Sequence, residues 1–230
     1  MTIDEQGTPA TRFWEPLYAA APDPSERRPN VVFEAAVAEL QLRPGRAWDM
    51  GCGHGGDALW LATLGWEVWA TDASTTAVRR VDSAADVAGL TASVHAEQYD
   101  LTRSMPAGPF DLVYANYFHS PVEFDQGTVL AQAASRVVTD GHLIVIDHAS
   151  SAPWSWEQRD PESFPTPQQL RDAIGLSDSW SSLRCERSER VATGPDGQTT
   201  ATVADNVIVL RRSRLHSSRA EVNEICPASQ

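Results

Sequence analysis

The sequence of 230 residues predicts an α/β fold with a mostly parallel sheet. Short apolar runs alternate with helical segments through most of the chain, which is typical of β-α-β units. A glycine-rich turn joins an early strand directly to a helix. Near the C-terminus, two further strand candidates flank Gly194-Pro195-Asp196-Gly197, whose Pro and Gly suit a turn. These observations predict an antiparallel hairpin appended to a parallel sheet.

Each predicted strand is a short run of apolar and β-branched residues bounded by turn signals. The parallel candidates are residues 47–50, 67–71, 92–95, 110–115 and 142–147, and the hairpin candidates are 184–192 and 199–210. The run Leu143-Ile144-Val145-Ile146 is apolar at every position, which predicts a strand that is buried on both faces.

The helices are predicted from capping residues at their starts and from Gly or Pro near their ends. Asn30 caps the first helix, which ends by Pro44-Gly45. Thr166, Pro167 and Gln169 take the N-cap, N1 and N3 positions of another helix, and this arrangement predicts a capping box. The remaining helical segments are 57–64, 74–87 and 129–138.

The composition argues against nucleic acid and anionic membranes as partners. The formal net charge is −13, and all 18 basic residues are Arg. Polyphosphate backbones attract proteins chiefly through clustered cations, which an acidic chain without Lys offers poorly. The absence of Lys also excludes a Schiff-base lysine and a P-loop lysine.

The cysteines and the lack of a membrane signal predict a cytoplasmic protein. Cys52, Cys185 and Cys226 are odd in number and widely spaced, which fits neither a disulfide framework nor a zinc site. No run approaches the roughly 18 apolar residues of a membrane span. The N-terminus has neither the basic nor the apolar region of a secretory signal. Nothing in the pattern indicates the oligomeric state.

The strongest motif is the glycine-rich segment at residues 47–57. Gly51, Gly53 and Gly56 fit G-x-G-x-x-G between a strand and a helix, where a ligand presses against the backbone. Asp49 precedes the first glycine, and an acid in that place suits an ammonium or a sulfonium better than a pyrophosphate. Asp72 ends the next strand, where a carboxylate accepts hydrogen bonds from both ribose hydroxyls.

These residues resemble those of class I S-adenosylmethionine-dependent methyltransferases, and the resemblance runs from about Phe13 to Arg212. More narrowly, the chain resembles the tellurite-resistance and thiopurine-type small-molecule methyltransferases. The stretches that carry the likeness are residues 13–18, 29–30, 49–62 and 65–74. The resemblance implies a Rossmann-like three-layer sandwich around a seven-stranded sheet, whose last strand is antiparallel.

The resemblance also implies which residues bind S-adenosylmethionine. Its methionine part would meet Asp49 and the loop of Gly51, Gly53 and Gly55, and its ribose would meet Asp72. The adenine would meet Ala73, Asp100 and Leu101. Asn116 would lie near the transferred methyl, and Trp14 and Tyr18 would cover the cofactor. No metal is implied.

The domain organisation follows from the same likeness. Residues 1–29 are polar with scattered aromatics, and we expect them to form a lid that orders over the bound cofactor. Residues 30–212 would be the cofactor-binding methyltransferase domain. Residues 213–230 show no periodicity and are predicted to be a flexible tail.

Acceptor-side residues are predicted from their place after the strands. His119 and His148 follow strands at the edge where open α/β sheets bind ligands, so either is a candidate general base. A loop histidine bonded to the backbone is the alternative for His119. Tyr117, Trp154 and Trp156 are candidate walls of an acceptor pocket, although the tryptophans would equally well pin their loop to the core.

The sequence therefore predicts an enzyme that methylates a small molecule at an oxygen, nitrogen or sulfur nucleophile. The Asn-Pro-Pro-Tyr tetrapeptide of enzymes that methylate amino and amide groups is absent, since the run is Ala115-Asn116-Tyr117-Phe118-His119. This counts against a planar nitrogen in DNA or in a protein glutamine. A nicotinamide-dependent oxidoreductase on a similar fold and a non-catalytic binding module are the alternatives.

Overall fold

A single seven-stranded sheet forms the centre of the computed structural model, which describes residues 7–155 and 158–214. The strands in chain order are β1 (Arg46–Met50), β2 (Glu67–Asp72), β3 (Val94–Gln98), β4 (Phe110–Asn116), β5 (Val137–His148), β6 (Trp180–Thr193) and β7 (Thr200–Arg212). Their order in the sheet is β3-β2-β1-β4-β5-β7-β6. The first five run parallel, and β7 is antiparallel to both β5 and β6. The predicted fold class is confirmed.

Helices cover both faces of this sheet. They are α1 (Pro9–Ala20), α2 (Val31–Leu40), α3 (Gly56–Thr63), α4 (Thr75–Val87), α5 (Gln126–Ala134) and α6 (Pro167–Ile174). One buried cluster joins the sheet to α2, α3 and α4, and a second joins it to α5 and α6. Successive β1 residues pack into different clusters, since Ala47 belongs to the first and Trp48 to the second. This alternation of strand side chains produces the three layers.

The predicted helix caps are present in the structure. The Asn30 side chain accepts from the backbone of α2, and the Ser74 side chain accepts from the backbone of α4. Thr166 and Gln169 form the reciprocal capping box at the start of α6, and Gly175 ends that helix in the left-handed region. Local sequence therefore determines where these helices begin.

The predicted helix over 129–138 is wrong at its C-terminal end. α5 ends at Ala134, and β5 begins at Val137, which pairs with Phe110 of β4. Consecutive β-branched residues favour a strand, and a neighbouring β4 offers the partner that an isolated segment lacks. β3 likewise covers 94–98 rather than the predicted 92–95.

The N-terminal segment contains a helix that the sequence did not predict. Thr8 caps α1, and Pro9 takes its first position, which is favourable for Pro. Glu15 fixes α1 to the start of α4: its carboxylate accepts from Ser74 Oγ at 2.6 Å and from Thr76 N at 3.0 Å. Although burial raises the pKa of Glu15, hydrogen bonds from Ser74 and Thr76 hold it below its usual value. The anion thus binds at the positive end of a helix dipole.

Within the two described ranges, no helix has both the length and the apolar character required for a bilayer crossing. Most of the predicted tail, residues 215–230, lies outside those ranges.

Two identical substitutions in α4 should separate core packing from helix propensity. Val81 is completely buried, whereas Val87 is 90% exposed. Val81→Ala should lower the free energy of unfolding by about 2–3 kcal/mol, because it removes buried methyl groups and leaves a cavity. Val87→Ala should change it by less than about 0.5 kcal/mol. Urea unfolding measures both, and equal effects would contradict the packing described for α4.

Candidate active site

A cavity of about 270 Å³ opens at the carboxyl ends of the central strands, between α1 and the loop over residues 117–124. Its size is near the lower end of ligand pockets, which are roughly 300–1,000 Å³. This is the edge where open α/β sheets bind ligands. Of the sequence-predicted site residues, those that line the cavity are Trp14, Tyr18, Gly51, Asp72, Ala73, Asp100, Leu101, Tyr117 and His119.

The glycine loop needs its glycines for two reasons. Gly51 and Gly53 have φ values of 73° and 52°, in the left-handed region that glycine favours. A Cβ on Gly51 would come within 3.0 Å of the Phe118 ring, and one on Gly53 within 3.0 Å of the Tyr18 hydroxyl. The loop therefore combines a tight turn with close approach to the aromatic walls of the cavity.

Asp72 is positioned by the backbone on either side of the cavity. Its carboxylate accepts from Gly53 N at 3.0 Å and from Ser74 N at 2.9 Å, and only 7% of the residue is exposed. A carboxylate has about four acceptor positions. Two are used by these amides, which leaves acceptor capacity at the cavity surface that Asp72 lines.

Asp49 and Asp72 are buried and Asp57 is half-buried, and their three carboxylates gather around the glycine loop. Burial raises the pKa of Asp49 well above its usual value, and the charges of Asp57 and Asp72 raise it further, although a hydrogen bond from Tyr114 opposes this. Burial also raises the pKa of Asp57 and of Asp72. Within residues 7–155 and 158–214, no Arg or His side chain forms an ion pair with any of the three. Such a group of acids is suited to a cationic ligand.

Polar atoms without partners surround the same acids. Asp57 accepts from Asn30 N at 2.6 Å and from Asn116 Nδ2 at 2.9 Å. Asn30 Nδ2 and Asn116 Oδ1 are buried, and no hydrogen-bond partner is found for them in the described part of the chain. Buried polar atoms are normally satisfied, so unsatisfied ones indicate a missing polar ligand. The sequence reasoning missed Asp57, for which the available signal was an acid in the first turn of the helix after the glycine loop.

A further part of the cavity wall combines Asp100 with apolar and aromatic side chains. Asp100 accepts from Thr102 N at 3.0 Å and from Thr102 Oγ1 at 2.6 Å. Burial raises the pKa of Asp100, but hydrogen bonds from Thr102 and Thr8 hold it below its usual value. Apolar and aromatic residues that the sequence reasoning missed complete this wall, namely Tyr99, Phe118, Val122 and Phe124.

Two histidines and a tyrosine stack beside the mouth of the cavity. The rings of Tyr117 and His148 are 4.2 Å apart and nearly parallel, and the His119 ring meets His148 edge-on at 5.1 Å. His119 Nδ1 lies 3.0 Å from the Tyr117 carbonyl oxygen. A carbonyl only accepts, so this bond places the proton on Nδ1 and leaves Nε2 as the basic nitrogen. Burial lowers the pKa of His148, as does neighbouring His119.

Several predicted site residues are not part of the cavity wall. They are Asp49, Gly53, Gly55, Asn116, His148 and Trp154. Asp49 and Asn116 belong to the acidic cluster below the loop, and His148 lies behind Tyr117 and His119. The structure does not bring Trp154 to the cavity, because its ring packs against the hairpin turn, where a Cβ on Gly194 would come within 3.1 Å. Trp156 lies outside the described residues.

Comparison with known proteins agrees with this geometry. A family model described as a methyltransferase domain matches residues 47–141, from β1 into β5. No curated protein matches the sequence. The match decides against the nicotinamide-dependent alternative.

Solved structures show the same fold. The chain resembles a structure determined for the conversion of a disulfide bond into a thioacetal group during echinomycin biosynthesis, with a TM-score of 0.68, 23% identity and coverage of 90% of this chain and 93% of that one. It also resembles TehB from Haemophilus influenzae, with a TM-score of 0.59, 16% identity and coverage of 79% and 62%. A third is geranyl diphosphate methyltransferase in complex with GPP and sinefungin, with a TM-score of 0.57, 13% identity and coverage of 78% and 76%.

Residues 47–141 thus form a methyltransferase domain, and the chain has the fold of S-adenosylmethionine-dependent methyltransferases. The residues present fit that cofactor. Its sulfonium and ammonium are cations, which match the uncompensated acids, and its adenine matches the apolar and aromatic side chains of the cavity wall. In the described part of the chain, no group of His, Cys, Asp and Glu side chains is arranged to hold a metal ion.

Removal of the Asp49 charge should stabilise the ligand-free protein at neutral pH. The folded-state pKa of Asp49 is raised, so the native state binds more protons than the unfolded state, and this residue's contribution to stability falls as pH rises. Asp49→Asn should therefore unfold at higher urea concentration than wild type at pH 7. The difference should shrink as pH is lowered toward the range in which the wild-type carboxyl is protonated.

The control for that comparison is Asp140→Asn, which changes an exposed carboxylate paired with Arg211. It should change stability by less than about 1 kcal/mol. An Asp49→Asn protein less stable than wild type at pH 7 would contradict the burial cost assigned to Asp49.

Proposed function

We propose that the protein transfers the methyl group of S-adenosylmethionine to a small-molecule acceptor that carries an oxygen, nitrogen or sulfur nucleophile. The observation that carries this proposal is the arrangement of one cavity. Uncompensated acids lie at and below its glycine loop, aromatic and apolar side chains line it, and the imidazole of His119 is part of its wall. The neighbour that acts on geranyl diphosphate shows that this fold accommodates a small acceptor.

In this proposal the cofactor spans the cavity from the acidic cluster to the apolar wall. Asp49 and the loop of Gly51, Gly53 and Gly55 receive its methionine part, with Asn116 near the methyl. Asp72 takes the ribose hydroxyls through its free acceptor capacity. Adenine would lie against Ala73 and Leu101 with Asp100 at its amino group, and the Phe118 and Phe124 rings would extend that wall.

When bound, S-adenosylmethionine supplies an electrophilic methyl on a sulfonium, which a nucleophile displaces in line to leave a neutral thioether. The chain's own residues orient the reactants and exclude water, and orientation alone contributes at most about 7–11 kcal/mol. His119 Nε2 is free to accept the proton that the acceptor loses. Tyr117 forms the wall beside it.

A small and uncharged or cationic acceptor agrees best with the charge of the chain. The net charge of −13 and the absence of Lys disfavour nucleic acid. We also propose a cytoplasmic location, which supplies the cofactor and keeps Cys52 and Cys185 reduced.

The acceptor can be identified by incubating the purified protein and S-adenosylmethionine with fractionated metabolites and searching by mass spectrometry for a product that gains one methyl. Formation of S-adenosylhomocysteine must rise in the same fractions. Cofactor binding without any methylated product across small-molecule fractions, together with methylation of a macromolecular fraction, would contradict a small-molecule acceptor.

Substitution of Asp72 should weaken cofactor binding. Loss of two ribose hydrogen bonds in Asp72→Ala should cost about 1.5–3 kcal/mol, or tenfold to a hundredfold in affinity. Calorimetry with S-adenosylhomocysteine measures this loss. Asp196→Ala is the control, since Asp196 also accepts backbone hydrogen bonds but lies in the distant hairpin turn. Unchanged affinity in a folded Asp72→Ala protein would remove Asp72 from the ribose site.

Substitution of His119 should lower turnover without weakening cofactor binding. A positioned base contributes roughly 10²–10⁴ in rate, so His119→Ala should lose about that factor when the acceptor is protonated at neutral pH. The acidic limb of the pH–rate profile should also disappear, because an imidazolium cannot accept a proton. His95→Ala, at a surface imidazole bonded to Glu67, is the matched control. A loss below about threefold with an unchanged limb would exclude His119 from the chemistry.

We further propose that residues 7–29 act as a lid on the bound cofactor. Trp14 and Tyr18 of α1 line the cavity, and Glu15 attaches α1 to α4. Limited proteolysis should cut this segment more slowly once S-adenosylhomocysteine is bound, because the ligand fills the space under α1. Glu15→Gln should be cut faster in both states, since it weakens the attachment. Equal cutting rates with and without ligand would contradict the lid.

A further inference from the structure

The C-terminal hairpin contributes a buried charge to the histidine side of the active site. Asp205 of β7 is completely buried. Its carboxylate accepts from Arg190 Nε of β6 at 2.6 Å and from the Tyr117 hydroxyl at 3.1 Å. Arg190 Nη2 also donates to the Tyr117 hydroxyl at 3.0 Å, which closes a three-membered network. Residues from β6, β7 and the end of β4 thus meet around one carboxylate.

This network fixes the ring of Tyr117. Tyr117 has a φ of 55°, an uncommon conformation for an aromatic residue, and such strain concentrates at functional sites. Its backbone N–H donates to the Ile146 carbonyl at 2.7 Å. The backbone is therefore held at β5 and the hydroxyl at Asp205, so the ring between them has one orientation. His148 stacks on that ring, and His119 meets His148 edge-on.

Asp205 also acts on His148 directly. The two residues are opposite each other in the antiparallel pairing of β5 and β7. His148 Nδ1 lies 3.9 Å from Asp205 Oδ1, which is too long for a hydrogen bond but close enough for a strong charge interaction. The other charged or titratable groups that face His148 are His119, Asp147, Arg190 and Tyr117. Burial and Asp205 raise the pKa of Tyr117 to about 12, so its hydroxyl stays protonated and keeps donating.

We propose that Asp205 is a positioning residue for methyl transfer, which orients the Tyr117–His148–His119 stack and stabilises the imidazolium that forms when the acceptor loses its proton. This rests on the proposed function. In the step itself, a lone pair of the acceptor atom forms the bond to the methyl carbon, and the carbon–sulfur bond breaks with its electrons going to sulfur. The proton of the acceptor passes to His119 Nε2 and then to water. The Asp205 carboxylate lies on the His148 side of the stack, so it acts on His119 through Tyr117 and His148.

The same two strands provide a comparison at the other end of the sheet. Asp140 and Arg211 form an ion pair at 2.8 Å across β5 and β7, and both side chains are nearly half exposed. That pair suffices to tie the strands together at the surface. Asp205 is instead completely buried, and its Oδ1 accepts a hydrogen bond from Tyr117, which lines the cavity. A carboxylate at this depth is costly unless it is paired and hydrogen-bonded, and the partners of Asp205 are Arg190 and the cavity residue Tyr117.

The test compares Asp205→Asn with Asp140→Asn, and its first two readouts need no acceptor. Calorimetry with S-adenosylhomocysteine should give the same affinity for both variants and wild type, because Asp205 does not line the cavity. Proton NMR should then follow the imidazole resonance of His148, assigned by its loss in His148→Gln. In Asp205→Asn the His148 titration midpoint should move to lower pH, since the anion that favours the imidazolium is gone. In Asp140→Asn it should not move.

Turnover supplies the third readout. The assay uses the acceptor found by the methylation screen. The kcat of Asp205→Asn should fall by about tenfold or more, which is part of the rate factor that a general base contributes. The KM for S-adenosylmethionine should be unchanged. If Asp205→Asn does not fold, Tyr117→Phe keeps the Arg190–Asp205 pair and the stack while removing the hydroxyl link, and it should show a similar loss of kcat.

The measurements distinguish a failure of the role proposed for Asp205 from a failure of the proposed function. An unmoved His148 midpoint in Asp205→Asn, or full kcat in folded Asp205→Asn and Tyr117→Phe proteins, would overturn the role of Asp205. Failure of wild type to bind S-adenosylhomocysteine would instead overturn the proposed function, and the His148 titration would still report whether Asp205 is coupled to the stack.

Discussion

Three carboxylates without a cationic partner in the described structure, two of them buried and the third half-buried, are the feature on which the rest of the site depends. Asp49, Asp57 and Asp72 converge where β1, β2 and the start of α3 meet, and burial raises the pKa of each. A protein retains such an arrangement at a cost to its own stability. A ligand with a sulfonium and an ammonium removes that cost when it binds. The unfavourable burial of the carboxylates in the ligand-free protein therefore contributes to selecting a cationic ligand.

The topology explains why these acids meet. The strand order changes direction beside β1, which has β2 on one side and β4 on the other. Helices following these strands lie on opposite faces, so a crevice opens above β1. The glycine loop fills the bottom of the crevice, α1 lies over it, and the ends of β4 and β5 supply Tyr117, His119 and His148 beside it. The antiparallel hairpin packs behind them and places Asp205 against the Tyr117 hydroxyl.

The sequence predicted those parts of the site that depend on local spacing. Strand, glycine loop and helix follow each other directly, so local spacing brings Gly51 and Asp72 to the same edge of the sheet, where both line the cavity. Parts that depend on contacts between distant segments were not predictable. Phe118 and Phe124 form a wall only because a loop folds back, and Asp205 meets Tyr117 across 88 positions of sequence. The same reason accounts for Val137, whose strand conformation depends on pairing with β4.

The central claim is that the carboxylates around the glycine loop select a cationic ligand. Its most direct test is the number of protons released when S-adenosylmethionine binds. Calorimetry at about pH 6 in two buffers of different ionisation enthalpy measures that number. Since a bound cation favours the ionised carboxylates, binding should release protons, and affinity should rise as pH increases from about 5 to 7. Asp49→Asn should release fewer protons than wild type. A binding reaction that releases no protons and has the same affinity across this range would contradict the account.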